Sequence, residues 1–413
     1  MDVRCRERDL RSIVRKFVRA DEVKALLIDL VRVPSPQTPL LEEEPLVRAF
    51  VKDTVAPFLK GCGLDVTLDS MGNLIARYGS GLSGKSLMLI GNAMNQPANT
   101  MRDPYEGRVV DGRPYGLPGE AVVGRGASEQ KATLAAMLSA VKGVVRCGEP
   151  IDGLLWFVCC TSGESGRHDA IRHVVETSGV KADMAVLCGS SNQISLGNRG
   201  RLDIRVVAEG KACHSSNPAE GANAIIGCAR VVERLLALPL EGEHPRLGRP
   251  SLTFTSIRSW PESTHTVQER CEMVLDRRLL PGEDPEEAFR CVVEAVSEVD
   301  GMSDPHSGKP IRVRVERGAF MYPSLVDSDT PVVSEIVRAS RTALGIEPPL
   351  TFSSSAFDQG YLNHVGIPTC NYGPGEDSFA HTDMDMASVD RTVDAARVYA
   401  CLVLDYLGKG DAC

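Results

Sequence analysis

The spacing of apolar residues divides the chain into alternating helical and extended stretches. Helical periodicity runs over residues 21–33, where Pro34-Ser35-Pro36 ends it, and again over 42–61, closed by Gly61 and Gly63. Short extended runs at 64–67 and 73–77 precede Ser86-Leu-Met-Leu-Ile-Gly91, which reads as a buried strand. Leu134, Met137, Leu138, Val141 and Val145 then recur at helical spacing behind Gly124-Arg-Gly-Ala-Ser-Glu-Gln-Lys131, which places Glu129 at a helix N-terminus. An apolar strand at 153–160, a helix through His173 and a strand at 184–188 repeat the pattern. Strands of this kind alternating with helices predict a largely parallel sheet covered on both faces. An acid at the end of a strand–loop–helix unit lies where open α/β sheets bind ligands, or else complements the helix dipole. Residues 94–123 read as a long, mostly polar connection, of the kind that is functional or disordered in compact domains.

Near Gly200 the pattern changes. Residues 202–207, 252–257, 270–279 and 311–316 read as strands, and 222–238 and 285–299 as helices, the second capped by Asp284. That order, β-α-β-β-α-β, is the order of a ferredoxin-like unit. The expected organisation is an α/β domain in two parts, 1–199 and 318–413, with a ferredoxin-like domain inserted at 200–317. A helix at 331–344, a strand at 366–372 and a closing helix at 389–407 complete the α/β domain.

Composition narrows the function classes. A chain of 413 residues is long for one core. Its formal net charge of −9 argues against nucleic acid or an anionic membrane as the main partner. No apolar run approaches the roughly 18–20 residues that span a bilayer. The first twenty residues lack the apolar centre of a signal peptide and read as an exposed helix or frayed arm, which points to the cytoplasm. The thirteen cysteines show no C-x-x-C and no metal-knuckle spacing, so most read as small buried hydrophobes.

Several ordered motifs span the chain: Leu30-Val-Arg-Val-Pro-Ser35, the stretch Gly124–Lys131, Gly210-Lys-Ala-Cys-His-Ser-Ser216, and Gly221-Ala-Asn-Ala-Ile225. Asp276-Arg-Arg278 with Pro281-Gly282, and Gly373-Pro-Gly375 with Ala380-His381, complete the set. With these motifs the sequence resembles the zinc aminoacylases, acetylornithine and succinyl-diaminopimelate deacylases and glutamate carboxypeptidases. The resemblance implies a catalytic domain carrying an inserted dimerisation domain, and a pair of zinc ions sharing a bridging acid. It places Glu129 at that bridging position, with Glu164 and His381 as the further ligands of one zinc. Two carboxylates and an imidazole make a three-ligand zinc site with an open position for water.

The second zinc position is altered. The family's Gly-His-x-Asp stands here as Gly91-Asn92-Ala93-Met94, and its second acid as Cys188, which could serve as a thiolate ligand or be a buried strand cysteine. The general-base position is altered too: Glu-Glu-x-Gly becomes Gly163-Glu164-Ser165-Gly166. Read without a gap, the base is Gly163; read with a one-residue deletion, Glu164 is the base and the zinc loses a ligand. In the inserted domain the resemblance gives His214 the task of polarising the scissile carbonyl in the partner subunit, Arg278 that of binding a substrate carboxylate, and His265 a substrate contact. The function implied is hydrolysis of an N-acyl or peptide-like amide bond in a small carboxylate-bearing substrate, by a homodimer holding one zinc or two. The altered positions leave two rivals: a non-hydrolytic lyase, transfer or cyclisation step using Cys188, and a metal-free protein that binds a small acid without turnover.

Overall fold

The computed structural model describes residues 3–409, with side chains from residue 9. Two compact units form. One contains the chain up to Gly197, Leu325–Phe352 and the chain from Tyr361 onward; the other contains Asn198–Ser324 and Ser353–Gly360.

The strands in chain order begin with β1 (Asp65–Leu68), β2 (Leu74–Tyr78), β3 (Ser86–Asn92), β4 (Arg108–Asp111) and β5 (Glu120–Val123). There follow β6 (Leu154–Cys160), β7 (Met184–Leu187), β8 (Ile194–Asn198) and β9 (Gly200–Glu209). Next come β10 (Ser251–Trp260), β11 (Arg270–Leu279), β12 (Arg312–Met321) and β13 (Ser324–Leu325). The last are β14 (Leu350–Ser353), β15 (Thr369–Asn371) and β16 (Met386–Ser388).

In the first unit a nine-stranded sheet runs β1-β2-β6-β3-β7-β15-β8-β13, with β14 added on β8. Its centre, β6-β3-β7-β15, is parallel, and antiparallel strands flank it on both sides. The central strands are buried on both faces, as Leu87, Met88, Leu89 and Ile90 of β3 show, which is why they read as unbroken apolar runs. The helix Ala132–Cys147 packs against the closing helix Val389–Leu407, and Leu134, Met137, Leu138 and Val141 are fully buried. Each such side chain contributes about 1.5–3 kcal/mol relative to exposure. The α/β reading therefore holds.

In the second unit β9, β10, β11 and β12 form an antiparallel sheet of order β10-β11-β9-β12, with the helices Ala224–Leu236 and Pro285–Ser297 packed on it. The side chain of Asp284 accepts from the Glu286 N–H, capping the second helix as predicted. Strand β11 alternates buried and half-buried residues throughout, the sign of a sheet with one face on a core. This is the ferredoxin-like arrangement.

Three expectations need correction. The N-terminal helix, Val3–Phe17, is not a frayed arm over its described side chains: Leu10 and Val14 are buried, and Arg11 Nε donates to the Thr342 carbonyl at 2.8 Å. Met1 and Asp2 lie outside the described residues. An apolar stripe this narrow looks the same in sequence whether or not a core receives it. The stretch 94–123 is not structureless, since β4 and β5 pair and β16 adds to β5 around Met101, Leu117, Ala121, Val123 and Met386. Its strands are too short to show alternation. Finally, the 42–61 helix begins only at Pro45, after a separate turn at Leu41–Glu43, and is interrupted by a π segment at Phe50–Val55. Among the described residues no helix is long and apolar enough to cross a membrane.

Candidate metal centre

The parallel strands β6, β3, β7 and β15 all end at one edge of the sheet, and the candidate residues lie just beyond those ends. Glu164 follows β6, Asn92 ends β3, Cys188 follows β7, and His381 lies on the loop after β15. Beyond the strands the backbone stays paired: Ala93 N–H donates to Cys160 O at 2.9 Å and Met94 N–H to Ser162 O at 3.1 Å. The loop after β15 is drawn in as well, its Glu376 N–H donating to Ser128 O at 2.7 Å. A Cβ on Gly375 would lie 2.8 Å from the Gly189 oxygen and 2.9 Å from the Ser128 oxygen, so only glycine allows that approach.

Glu129 sits on a π turn, Ala127–Lys131, in which Lys131 N–H reaches back five residues to the Gly126 carbonyl at 2.9 Å. Buried Asp385 holds this turn in place. Its carboxylate accepts from the N–H groups of Gly126 at 2.6 Å and Ser128 at 2.8 Å, and pairs with buried Arg125 at 3.3 Å. Behind it, fully buried Lys131 donates to Ser35 Oγ at 2.6 Å and lies over the Phe50 ring, and burial pushes its ammonium well below the usual lysine range.

Among the described residues, Glu129, Glu164 and His381 form a group whose ligand atoms all lie within 4.8 Å of one another. His381 Nε2 is 3.4 Å from Glu129 Oε2 and 3.6 Å from Glu164 Oε2. Ligands about 2.1 Å from a tetrahedral zinc stand roughly 3.4 Å apart, so these separations fit the ion. His381 holds a left-handed backbone, φ +62°, an uncommon conformation for a residue with a side chain and one that gathers at functional sites. Electrostatics agree with the geometry. Burial, then the neighbouring Glu129 charge, pushes the Glu164 carboxyl up to about 8; the hydrogen bond to Glu129 pushes the His381 imidazole up to about 9. Two acids crowded together beside an imidazole suit a divalent cation.

The altered positions read differently once their surroundings are visible. Asn92 is buried, its Nδ2 faces Cys188 Sγ at 3.9 Å, and its Oδ1 has no hydrogen-bond partner. Cys188 is not part of the three-residue group. Buried Met94 contributes its backbone rather than its side chain, because a Cβ on Gly163 would lie 2.3 Å from the Met94 carbonyl oxygen. Position 163 thus lacks room for any side chain, acid or otherwise. Gly163→Ala is expected to cost about 1–3 kcal/mol or more, since the obstacle is backbone and cannot swing aside. Urea unfolding of the two proteins at one pH measures this, and equal midpoints would contradict it.

His214, His265 and Arg278 belong to the second unit. His214 and His265 meet there: His214 bridges to Thr266, and Ser215 N–H donates to the His265 carbonyl at 2.9 Å, with both rings exposed. The Ser216 N–H points at His214 Nδ1 from 3.2 Å, so the proton of the neutral ring belongs on Nε2. Arg278 is already engaged, giving Nε and one terminal nitrogen to Asp276 at 2.7 and 3.0 Å. Sequence reasoning passed over Asp385, Gln37, Gln96 and Gln130. Only Gln130, adjacent to Glu129, carried a signal, that of its place inside the motif.

Fold and site together define a class by architecture: an α/β domain with a ferredoxin-like insertion and three potential metal ligands at the sheet edge. Residues 196–301 match the family described as the peptidase dimerisation domain of the M20 group. Over 95% of its length and 96% of the relative's, the chain is 26% identical to YgeY of Escherichia coli strain K12. It is 25% identical to the acetylornithine deacetylase of Myxococcus xanthus, covering 94% of this chain and 98% of that one. The fold is shared with an M20 family metallo-carboxypeptidase, Sso-CP2 of Sulfolobus solfataricus, at TM-score 0.74, 19% identity and coverage of 94% and 99%. The chain thus carries a peptidase dimerisation domain match and is similar over most of its length to deacylases, and it shares its fold with an M20 metallo-carboxypeptidase.

Proposed function

We propose that this chain is a metal-dependent hydrolase cleaving an N-acyl or peptide-like amide bond in a small substrate that bears a carboxylate, with zinc held by Glu129, Glu164 and His381. The observation that carries the reading is the set of ligand separations, 3.4 and 3.6 Å from His381 Nε2 to the two carboxylates. Bound zinc supplies Lewis-acid polarisation and acidifies a water to a pKa of about 7. His381 offers Nε2 to the ion, and the two acids offset its charge. Proton transfer falls to Glu129 or Glu164, the acids within reach, because Gly163 cannot carry one. Of the two, Glu129 has the more open side chain.

His214, contributed by a second copy, is assigned to the developing oxyanion, and its outward Nε2–H is the donor that task requires. Arg278 meets the substrate carboxylate with the part of its guanidinium that Asp276 does not hold, and His265 lies close to His214 to assist. The dimerisation-domain match supports a homodimer. A second reading, a small-acid-binding protein or a non-hydrolytic enzyme using Cys188, is favoured by one observation, the closed space at Gly163.

Metal content by mass spectrometry, on protein purified without chelator, together with a panel of N-acyl amino acids and dipeptides, separates these readings. About one zinc per chain with turnover supports the hydrolase. About two per chain would draw Cys188 in as a ligand. No zinc taken up and no amide cleaved would sink the proposal and leave the second reading.

A further inference from the structure

Three glutamines from three separate segments converge on Glu164. Gln130 Nε2 donates to Oε1 at 3.2 Å, Gln96 Nε2 donates to Oε2 at 2.8 Å, and Gln37 Nε2 donates to the backbone carbonyl at 2.6 Å. Each carboxylate oxygen therefore has one neutral donor, and the backbone below has another. The terminal torsion of a glutamate is broad, so the plane of its carboxylate is set by its partners rather than by its own rotamer preference. Gln130 also fills the space around position 163, its Nε2 lying 3.3 Å from where a Cβ of Gly163 would stand. Position 163 is thus a glycine beside an amide that grips Glu164.

We propose that Gln96 and Gln130 are positioning residues for Glu164: each fixes one carboxylate oxygen, so that the carboxylate plane is held for a cation that Glu164 would share with Glu129 and His381. The proposal rests on the metal reading above. Amide donors suit this task because they do not ionise at neutral pH and present an N–H to an oxygen acceptor. The arrangement is poorly explained by folding alone. Gln130 is buried, yet its Oε1 has no hydrogen-bond partner, and an unsatisfied buried acceptor costs stability. An apolar residue of similar volume would remove that cost. The glutamine makes sense if the bond to Glu164 matters to what Glu164 holds.

The test uses full-length protein stripped of metal and titrated with zinc against a chromophoric chelator, with the thermal midpoint of the metal-free form recorded alongside. Gln130→Leu and Gln96→Leu are each expected to weaken zinc binding about 10–100-fold. The metal-free midpoint of Gln130→Leu is expected to match or exceed the parent's. Because Gln96 lies on a different, half-buried segment, its variant keeps the question open should Gln130→Leu fold poorly. Variants that bind zinc as tightly as the parent would overturn the positioning role while leaving the metal centre intact. So would a metal-free midpoint that falls in step with affinity, since that marks a purely structural role. A parent that takes up no zinc would instead remove the metal reading, and this proposal with it.

Discussion

Glu164→Gln is expected to leave a folded protein whose zinc affinity falls on the order of 100-fold or more, and whose hydrolysis falls with it. The substitution keeps the shape of the side chain and removes the charge that faces His381 Nε2 at 3.6 Å. It also turns one amide donor against another, since Gln96 and Gln130 both present N–H groups to this position. Stability should move the other way. Burial and the Glu129 charge raise the Glu164 carboxyl above its unfolded value, so the folded protein binds this proton more tightly than the unfolded chain does. Stability from this group is present at low pH and is lost as pH rises from about 4.5 through about 8. A neutral amide mimics the protonated acid, so the metal-free variant should outlast the metal-free parent above neutral pH. Chelator competition and thermal melts at pH 6 and pH 8.5 read both effects. Undiminished zinc uptake would move the ligand assignment away from Glu164.

Zinc uptake should also be steeply pH-dependent. Ligands must be deprotonated to bind, and the Glu164 carboxyl and the His381 imidazole are raised to about 8 and about 9. The metal-free centre at neutral pH therefore holds about two protons that zinc must displace. Because Glu129 interacts with both groups, the release belongs to the cluster rather than to one residue. Apparent affinity is expected to climb by up to about 100-fold per pH unit below pH 8 and to level off above pH 9. Calorimetry in buffers of different ionisation enthalpy counts the protons directly. A count near zero would mean that these side chains do not meet the ion.

Much of the fold was legible in the chain because its signals are local. The apolar run of β3, the helix behind Glu129 and the β-α-β-β-α-β order each express a periodicity that burial enforces along one segment. The N-terminal helix and the β4–β5 pair were misjudged for the opposite reason. What makes them ordered is a distant surface, namely Thr342 for the first and β16 for the second. Neither leaves a mark within its own residues.

The candidate site divides along the same line. Glu129, Glu164 and His381 could be singled out because acids and imidazoles in recognisable motifs advertise chemistry. The glutamines could not, since an amide is as much at home on any polar surface, and Gln37, Gln96 and Gln130 are brought to one carboxylate only by the meeting of three segments.

By itself the sequence determined the α/β organisation with its ferredoxin-like insertion and the chemical types available at the sheet edge, both of them properties of residue identity and spacing. Only the tertiary structure decided that position 163 is closed to any side chain and that Asn92 faces Cys188. Distances between segments decided the rest, bringing three potential ligands within 4.8 Å. Those facts depend on where backbones far apart in sequence come to rest, which no local pattern of apolar and polar residues encodes.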